Sequence, residues 1–184
     1  NYSPCMKVPN VQVIFEKESW GLEEDWVPRN SGEIYGGELN LKEALANSVN
    51  TVTAYLMKQV GPSKVRKLAR AMGLKSSIPL APSICLGTPD VSVYEMVGAY
   101  STFANKGVYT TPVFLNRIED KNGVVLDEFS PVTKEVLSEE KAYVILDLMQ
   151  GVTKLGSGRR LGWKYGLKNQ IAGKTGTTQN QSDG

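Results

Sequence analysis

The sequence contains no histidine. A Ser-His-Asp or Cys-His relay is therefore excluded, and so is any metal site built on imidazole. Cysteine is almost absent as well. Cys5 and Cys85 are the two in 184 residues, too few for a disulfide scaffold and too dispersed for a zinc site of CxxC-like spacing. They read as isolated thiols with Cys85 packed, although a single long-range bridge stays open. No apolar run approaches the roughly 18 residues of a membrane span, and residues 1–30 carry no signal-peptide pattern. Charge of one sign is missing too: 21 Lys and Arg face 19 Asp and Glu, a net charge of +2 that gives no reason to expect nucleic acid.

What is present is the balance of a folded domain, with 41% apolar and 22% charged residues. Charge is unevenly spread. Residues 1–50 carry −4, residues 51–150 +1 and residues 151–184 +5. The basic end suits an anionic group such as a carboxylate or phosphate, or it is a solvated basic face.

Residues 1–38 read as irregular. They hold Pro4, Pro9 and Pro28, an acidic Glu23-Glu24-Asp25 and turn-rich Asn30-Ser31-Gly32 and Gly36-Gly37, with one short strand suggested at Val11 to Phe15. Helical spacing then begins. Asn40 with Glu43 resembles a capping pair, and Leu41, Leu45, Ser48, Val52, Leu56 and Val60 share a stripe that ends at Gly61-Pro62. Ser63 is the expected cap of a second helix carrying Val65, Leu68, Ala69 and Met72, stopped by Gly73. Ser92 with Glu95 predicts a capping box for a third helix. Its Met96, Val97, Tyr100, Phe103 and Ala104 are expected inside, with Asn105-Lys106-Gly107 as its end. Val113 to Glu119 and Val124 to Glu128 flank Asp120-Lys121-Asn122-Gly123, a strong hairpin signal. Ser138 opens a fourth helix with Ala142, Ile145, Leu146 and Met149 inward and Gly151 just past its end. A last strand is expected around Gln170 to Thr178.

Two short segments carry chemistry. Lys174-Thr175-Gly176-Thr177 places a cation, two hydroxyls two residues apart and a glycine on one expected strand. Alternation sends Thr175 and Thr177 to one face, and Gly176 lets a ligand's backbone approach. Gly173-Lys174-Thr175 is not the tail of a phosphate-binding loop, because Lys168 stands where that motif needs glycine. The second segment is Ser48-Val49-Asn50. On a straight helix Ser48 and Asn50 lie about 200° apart, so they can serve one ligand only if the helix breaks there. Asn47 and Asn50, both weak helix formers, make that break plausible.

The order Ser-x-Asn then Lys-Thr-Gly resembles the penicillin-binding transpeptidase family, whose signatures are S-x-x-K, S-x-N and K-T-G. The text between them is more specific. "GGELNLKEALANSVNTVTAYLMKQVG", "PSICLGTPDVSVYEMVGAYSTFANKGVYTTP" and "IEDKNGVVLDE" resemble the class A, bifunctional members, of the 1A-like kind, from about Val27 to Gly184. The resemblance implies an α/β (α+β) fold of the serine β-lactamase/transpeptidase type, helices packed beside an antiparallel sheet. Residues 1–38 would be an irregular connecting segment of that domain and residues 39–184 a partial domain, incomplete at both ends.

The function so implied is peptidoglycan D,D-transpeptidation through a serine acyl-enzyme, with lysine in place of histidine as base. It needs no cofactor and no metal. Its partners would be the D-Ala-D-Ala stem peptide and β-lactam antibiotics. It would work on the extracytoplasmic, periplasmic face of the bacterial inner membrane, with the membrane anchor and a glycosyltransferase domain outside this chain. By resemblance, Ser48 relays a proton to the leaving amine and Asn50 bonds the donor backbone. Lys174 draws the donor carboxylate, Thr175 and Thr177 hold it across Gly176, and the Thr177 amide joins an oxyanion hole.

The chain departs from the pattern in one respect: no S-x-x-K precedes Ser48. Ser138-Glu139-Glu140-Lys141 matches the letters in the wrong order along the chain and at a helix start, where serine is the expected cap. The expectation is therefore an internal fragment that lacks the nucleophile and is inactive alone. A non-catalytic β-lactam-sensing or peptidoglycan-binding module of the same fold is the alternative, with a secreted β-lactamase weaker, because the segment Ser83 to Pro112 is class A-like.

Overall fold

The computed structural model of the chain describes residues 2–177. In chain order its elements are β1 (Lys7–Pro9), α1 (Lys17–Trp20), β2 (Glu38–Asn40), α2 (Leu41–Ala46), α3 (Asn50–Val60), α4 (Pro62–Ala71), α5 (Val93–Ala104), β3 (Val108–Thr110), β4 (Arg117–Glu119), β5 (Val125–Glu128), β6 (Thr133–Glu135), α6 (Glu139–Lys154) and α7 (Arg160–Trp163), with 3₁₀ turns at Ser31–Glu33 and Pro82–Leu86. Helices stand with antiparallel strand pairs, as the resemblance implies. Among the described residues the strands form three separate ladders, β1 with β2, β3 with β6 and β4 with β5. No helix among them is long and apolar enough to cross a membrane. The chain forms two compact units, one from residues 2–64, 79–88 and 144–177, the other from residues 65–78 and 89–143.

The first unit is built around α2 and α3. The Asn40 side chain accepts the Glu43 amide at 2.8 Å and starts α2. Val8 from β1, Ala44 from α2 and Val52 from α3 form one core, with Leu39, Leu41, Val49 and Tyr55 packed on it. β1 enters that core by pairing antiparallel to β2, Val8 opposite Leu39. The strand expected at Val11 to Phe15 lies instead at Lys7–Pro9. Only Phe15 of that run bridges, to Trp26, and it is buried against the rings of Trp20 and Trp26, which stand 5.0 and 5.1 Å away.

α6 supplies Met149 and Val152 to the buried set. It runs past Gly151, which was expected to end it. Gly151 is buried beside the Lys42 stem, and packing outweighs its weak helix propensity of about 1 kcal/mol. Lys42 Nζ also pairs with Asp147 at 2.8 Å and fixes α2 to α6.

In the second unit the capping box is complete, with Ser92 and Glu95 each bonding the other's backbone. Glu95 also accepts the amides of Lys75 and Ser76 and the Ser76 hydroxyl. The Ser76 hydroxyl first, then the backbone amides, hold its carboxyl well below the ordinary range. α5 is rotated from the expected orientation. Its buried residues are Gly98, Ala99 and Thr102, whereas Val97 and Tyr100 are exposed and Met96 and Phe103 half-buried. The reason is close approach: Pro112 and Tyr109 lie 3.2 and 3.3 Å from where a Gly98 Cβ would stand, so the small-residue face takes the contact. The hairpin forms as expected. β4 pairs with β5, and Asp120 Oδ1 accepts the Asn122 and Val124 amides across the turn. α4 starts at Pro62, one residue before the expected cap, because proline suits the first helical position.

Candidate active site

The helix does break at Ser48. α2 ends in a Schellman turn, in which the Val49 amide donates to the Ala44 carbonyl at 2.9 Å and the Ser48 amide to the Leu45 carbonyl at 3.1 Å. Ser48 takes the left-handed position of that turn, φ +55°, where glycine is usual. The conformation costs a residue with a Cβ roughly 1–2 kcal/mol. Such strain persists where the surroundings over-determine it, and here it aims the Ser48 hydroxyl out of the turn.

Asn50 begins α3 on the other side of the break. Its Nδ2 donates to the Arg29 carbonyl at 2.8 Å, and because that oxygen can only accept, the amide's orientation is fixed. The next residues hold the turn from beneath. Asn30 Oδ1 accepts the Thr51 amide at 3.0 Å, Asn30 Nδ2 donates to Asn10 Oδ1 at 2.9 Å, and the Thr51 hydroxyl donates to Asn10 Oδ1 at 2.7 Å. Thr51 is fully buried, Asn10 and Asn30 nearly so. Every member is satisfied, which makes the network a rigid clamp. Arg29, Asn30 and Asn10 were not read from the sequence. An isolated Asn in a loop reads as turn-forming, and nothing local signals a partner 20 or more residues away.

Residues 170–177 form no strand, contrary to expectation, and Thr178 lies outside the described residues. A strand needs a ladder partner, and among the described residues this run is held by α6 and the turn after it. The Thr153 hydroxyl donates to the Ile171 carbonyl and the Gly173 amide to the Met149 carbonyl at 3.4 Å. Ser157 Oγ and Thr175 Oγ1 are 2.6 Å apart. The tethers fall at every second residue, Ile171, Gly173 and Thr175.

Opposite them Lys174 turns to the broken helix. Its Nζ donates to Ser48 Oγ at 2.7 Å and to the Thr175 carbonyl at 2.9 Å. Half-burial penalises the ammonium and pulls its pKa below the ordinary lysine value. Ser48, accepting from that ammonium, keeps its own proton for a third group. Gly176 and Thr177 are exposed, and among the described residues no atom beyond Gly176 and its two chain neighbours lies within 4 Å of where a Gly176 Cβ would be. Packing within the chain therefore does not call for glycine there. Of the expected residues, then, Ser48, Lys174 and Thr175 form one hydrogen-bonded group. Asn50 flanks it, with its amide spent in part on Arg29. Ser138 lies just before α6, its carbonyl accepting the Ala142 amide, as expected of a helix start.

Residues 8–184 match the family described as the penicillin binding protein transpeptidase domain. Penicillin-binding protein 1A of Aquifex aeolicus is 38% identical over 160 residues, covering 87% of this chain and 22% of the relative. The chain thus spans about a fifth of the length of the curated relatives it matches. Among solved structures, penicillin-binding protein 1A from Haemophilus influenzae superposes with a TM-score of 0.85 at 20% identity, over 96% of this chain and 32% of that one. The imipenem acyl-enzyme complex of penicillin-binding protein A from M. tuberculosis gives 0.70 at 22% identity, over 97% of this chain and 43% of that one.

Proposed function

The chain belongs to the penicillin-binding protein transpeptidase domain family, and from that premise we propose that it is part of a peptidoglycan D,D-transpeptidase that cross-links the cell wall and is acylated by β-lactams. The observation that carries this reading is the 2.7 Å hydrogen bond between Lys174 and Ser48, residues 126 positions apart. A nucleophilic serine and its lysine base, supplied from outside these residues, attack the D-Ala-D-Ala carbonyl. The C–N bond breaks, the departing amine takes a proton through the Ser48 hydroxyl, and the donor remains as an acyl-enzyme. The amino group of a second stem peptide then displaces the serine and forms the cross-link. Lys174 and the hydroxyls of Thr175 and Thr177 hold the donor's terminal carboxylate, Asn50 bonds its backbone, and the Thr177 amide stabilises the oxyanion.

The acyl-enzyme that the M. tuberculosis protein forms with imipenem supports the antibiotic as a substrate analogue here. Glycosyltransferase activity, membrane anchoring and an extracytoplasmic, periplasmic location are proposed for the full-length protein. Two measurements test the reading. Intact mass after incubation with a penicillin is expected to show no adduct on residues 1–184 alone, and a stoichiometric adduct overturns the external nucleophile. In the full-length protein, Lys174→Ala and Asn50→Ala are each expected to slow labelling by a fluorescent penicillin about a hundredfold, the scale of losing a positioned electrostatic group. Undiminished labelling of both overturns the assignment.

A further inference from the structure

The turn after α6 is clamped against the end of α2. The Ser157 amide donates to the Ala46 carbonyl at 2.9 Å and the Gly158 amide to the Val152 carbonyl at 3.0 Å. A Cβ on Gly156 would fall 1.9 Å from the Ala46 carbonyl oxygen, so the turn lies flush on α2 two residues before Ser48. From this fixed backbone the Ser157 side chain reaches Thr175, oxygen to oxygen 2.6 Å. The turn therefore touches both halves of the site, the base of the Ser-x-Asn break through its backbone and Lys-Thr-Gly through its one hydroxyl.

We propose that Ser157 is the positioning residue of carboxylate recognition: its hydroxyl donates to Thr175 Oγ1 and leaves the Thr175 proton to be given to the bound carboxylate. The inference rests on the transpeptidase reading. A hydroxyl has one proton and two lone pairs, so in a pair this close one oxygen donates and the other keeps its proton for a third group. When an anion arrives beside Lys174, the favourable direction is Ser157 to Thr175 to carboxylate, because the last bond is then charge-assisted and the first strengthens it. Rotation of Thr175 is curtailed as well, since its carbonyl is held by Lys174 Nζ and its hydroxyl by Ser157. Nothing in the role requires Ser157 to touch substrate.

The experiment compares the full-length protein with its Ser157→Ala, Ser157→Cys and Ser157→Thr variants. The second-order rate of acylation is measured with benzylpenicillin and with its methyl ester, which lacks the charge, and thermal unfolding is recorded alongside. Ser157→Ala is expected to slow acylation by the acid about three- to tenfold, the worth of one hydroxyl hydrogen bond, and to leave the ester rate unchanged. Cysteine, a weak donor of similar shape, behaves like alanine, and threonine restores the wild-type ratio. Equal slowing with acid and ester, or no slowing with either, overturns the proposal and leaves Ser157 a packing residue. Lys174→Ala separates the two readings. Impaired Lys174→Ala beside unimpaired Ser157→Ala sinks this inference alone, whereas wild-type acylation by Lys174→Ala removes the reading beneath it.

Discussion

Lys174 Nζ stands 2.7 Å from Ser48 Oγ, and Ser48 meets it from a left-handed backbone, φ +55°. One residue thus combines a conformation that favours glycine with a hydroxyl that glycine lacks.

That conflict can be measured. Glycine at position 48 relieves the strain, and alanine keeps the strain while losing the same hydroxyl. Ser48→Gly is expected to be more stable than Ser48→Ala by about 1 kcal/mol, with both variants equally impaired in penicillin acylation. Urea unfolding reads the first quantity and fluorescent-penicillin labelling the second. Equal stability of the two variants would mean that the turn carries no strain.

A second prediction concerns pH. Burial lowers the Lys174 pKa from its ordinary 10.5, so Lys174 loses its charge at a lower pH than a solvated lysine does. Acylation by a carboxylate-bearing penicillin is expected to decline with an apparent pKa below 10.5. In Lys174→Arg, which stays charged, that alkaline limb disappears. Stability runs the other way. Burial of the ammonium costs the folded state below its folded-state pKa, and the cost is relieved as pH rises from there towards the unfolded value. A pH–rate profile beside urea midpoints tests both signs, and an alkaline limb identical in Lys174→Arg removes Lys174 as its cause.

The contact under Gly156 gives a third. An alanine Cβ there would stand 1.9 Å from the Ala46 oxygen and 2.8 Å from the Ala46 Cα, backbone atoms that do not swing aside. Gly156→Ala is expected to cost about 1–3 kcal/mol, the range for overpacking a tight contact. It also loosens the end of α2 and slows acylation. Gly162→Ala in α7, where the nearest such atom is 3.9 Å away, is the comparison and is expected to be neutral to mildly stabilising by differential scanning calorimetry. A neutral Gly156→Ala would show that the two backbones separate freely.

The parts of the fold that were legible have local signals, whereas the pairing of Ser48 with Lys174, 126 positions apart, was implied by the resemblance alone. Ser48 and Asn50 cannot share a face of an intact helix, so a break was required if both were to serve one ligand, although the stripe from Leu41 to Val60 reads as continuous by spacing. The Ser92–Glu95 box and the Asn122-Gly123 turn are set by residues within four positions of one another. The face of α5 was misread because a hydrophobic stripe marks size rather than closeness. Val97 and Tyr100 are bulky and apolar, but Gly98 admits Tyr109 and Pro112. Residues 170–177 were misread for a related reason. Their composition suits a strand, yet a strand exists only by its partner, and here one side chain and one carbonyl from α6, with Ser157 after it, take that place. Ser157 went unremarked because a serine between two glycines advertises flexibility. Its rigidity comes from Ala46, which no periodicity connects to it.

The first unit is discontinuous in sequence, and that sets an order of manufacture. During translation the second unit is complete once Tyr143 has left the ribosome. The first must wait for chain beyond Val144, which brings Met149 and Val152 to its buried set. Ser48 is made early and receives Lys174 only 126 residues later. A nascent chain interrupted between Tyr143 and Lys174 contains every residue of the second unit and a Ser48 without its lysine. Truncation in that interval therefore removes the Lys174–Ser48 contact outright rather than weakening it.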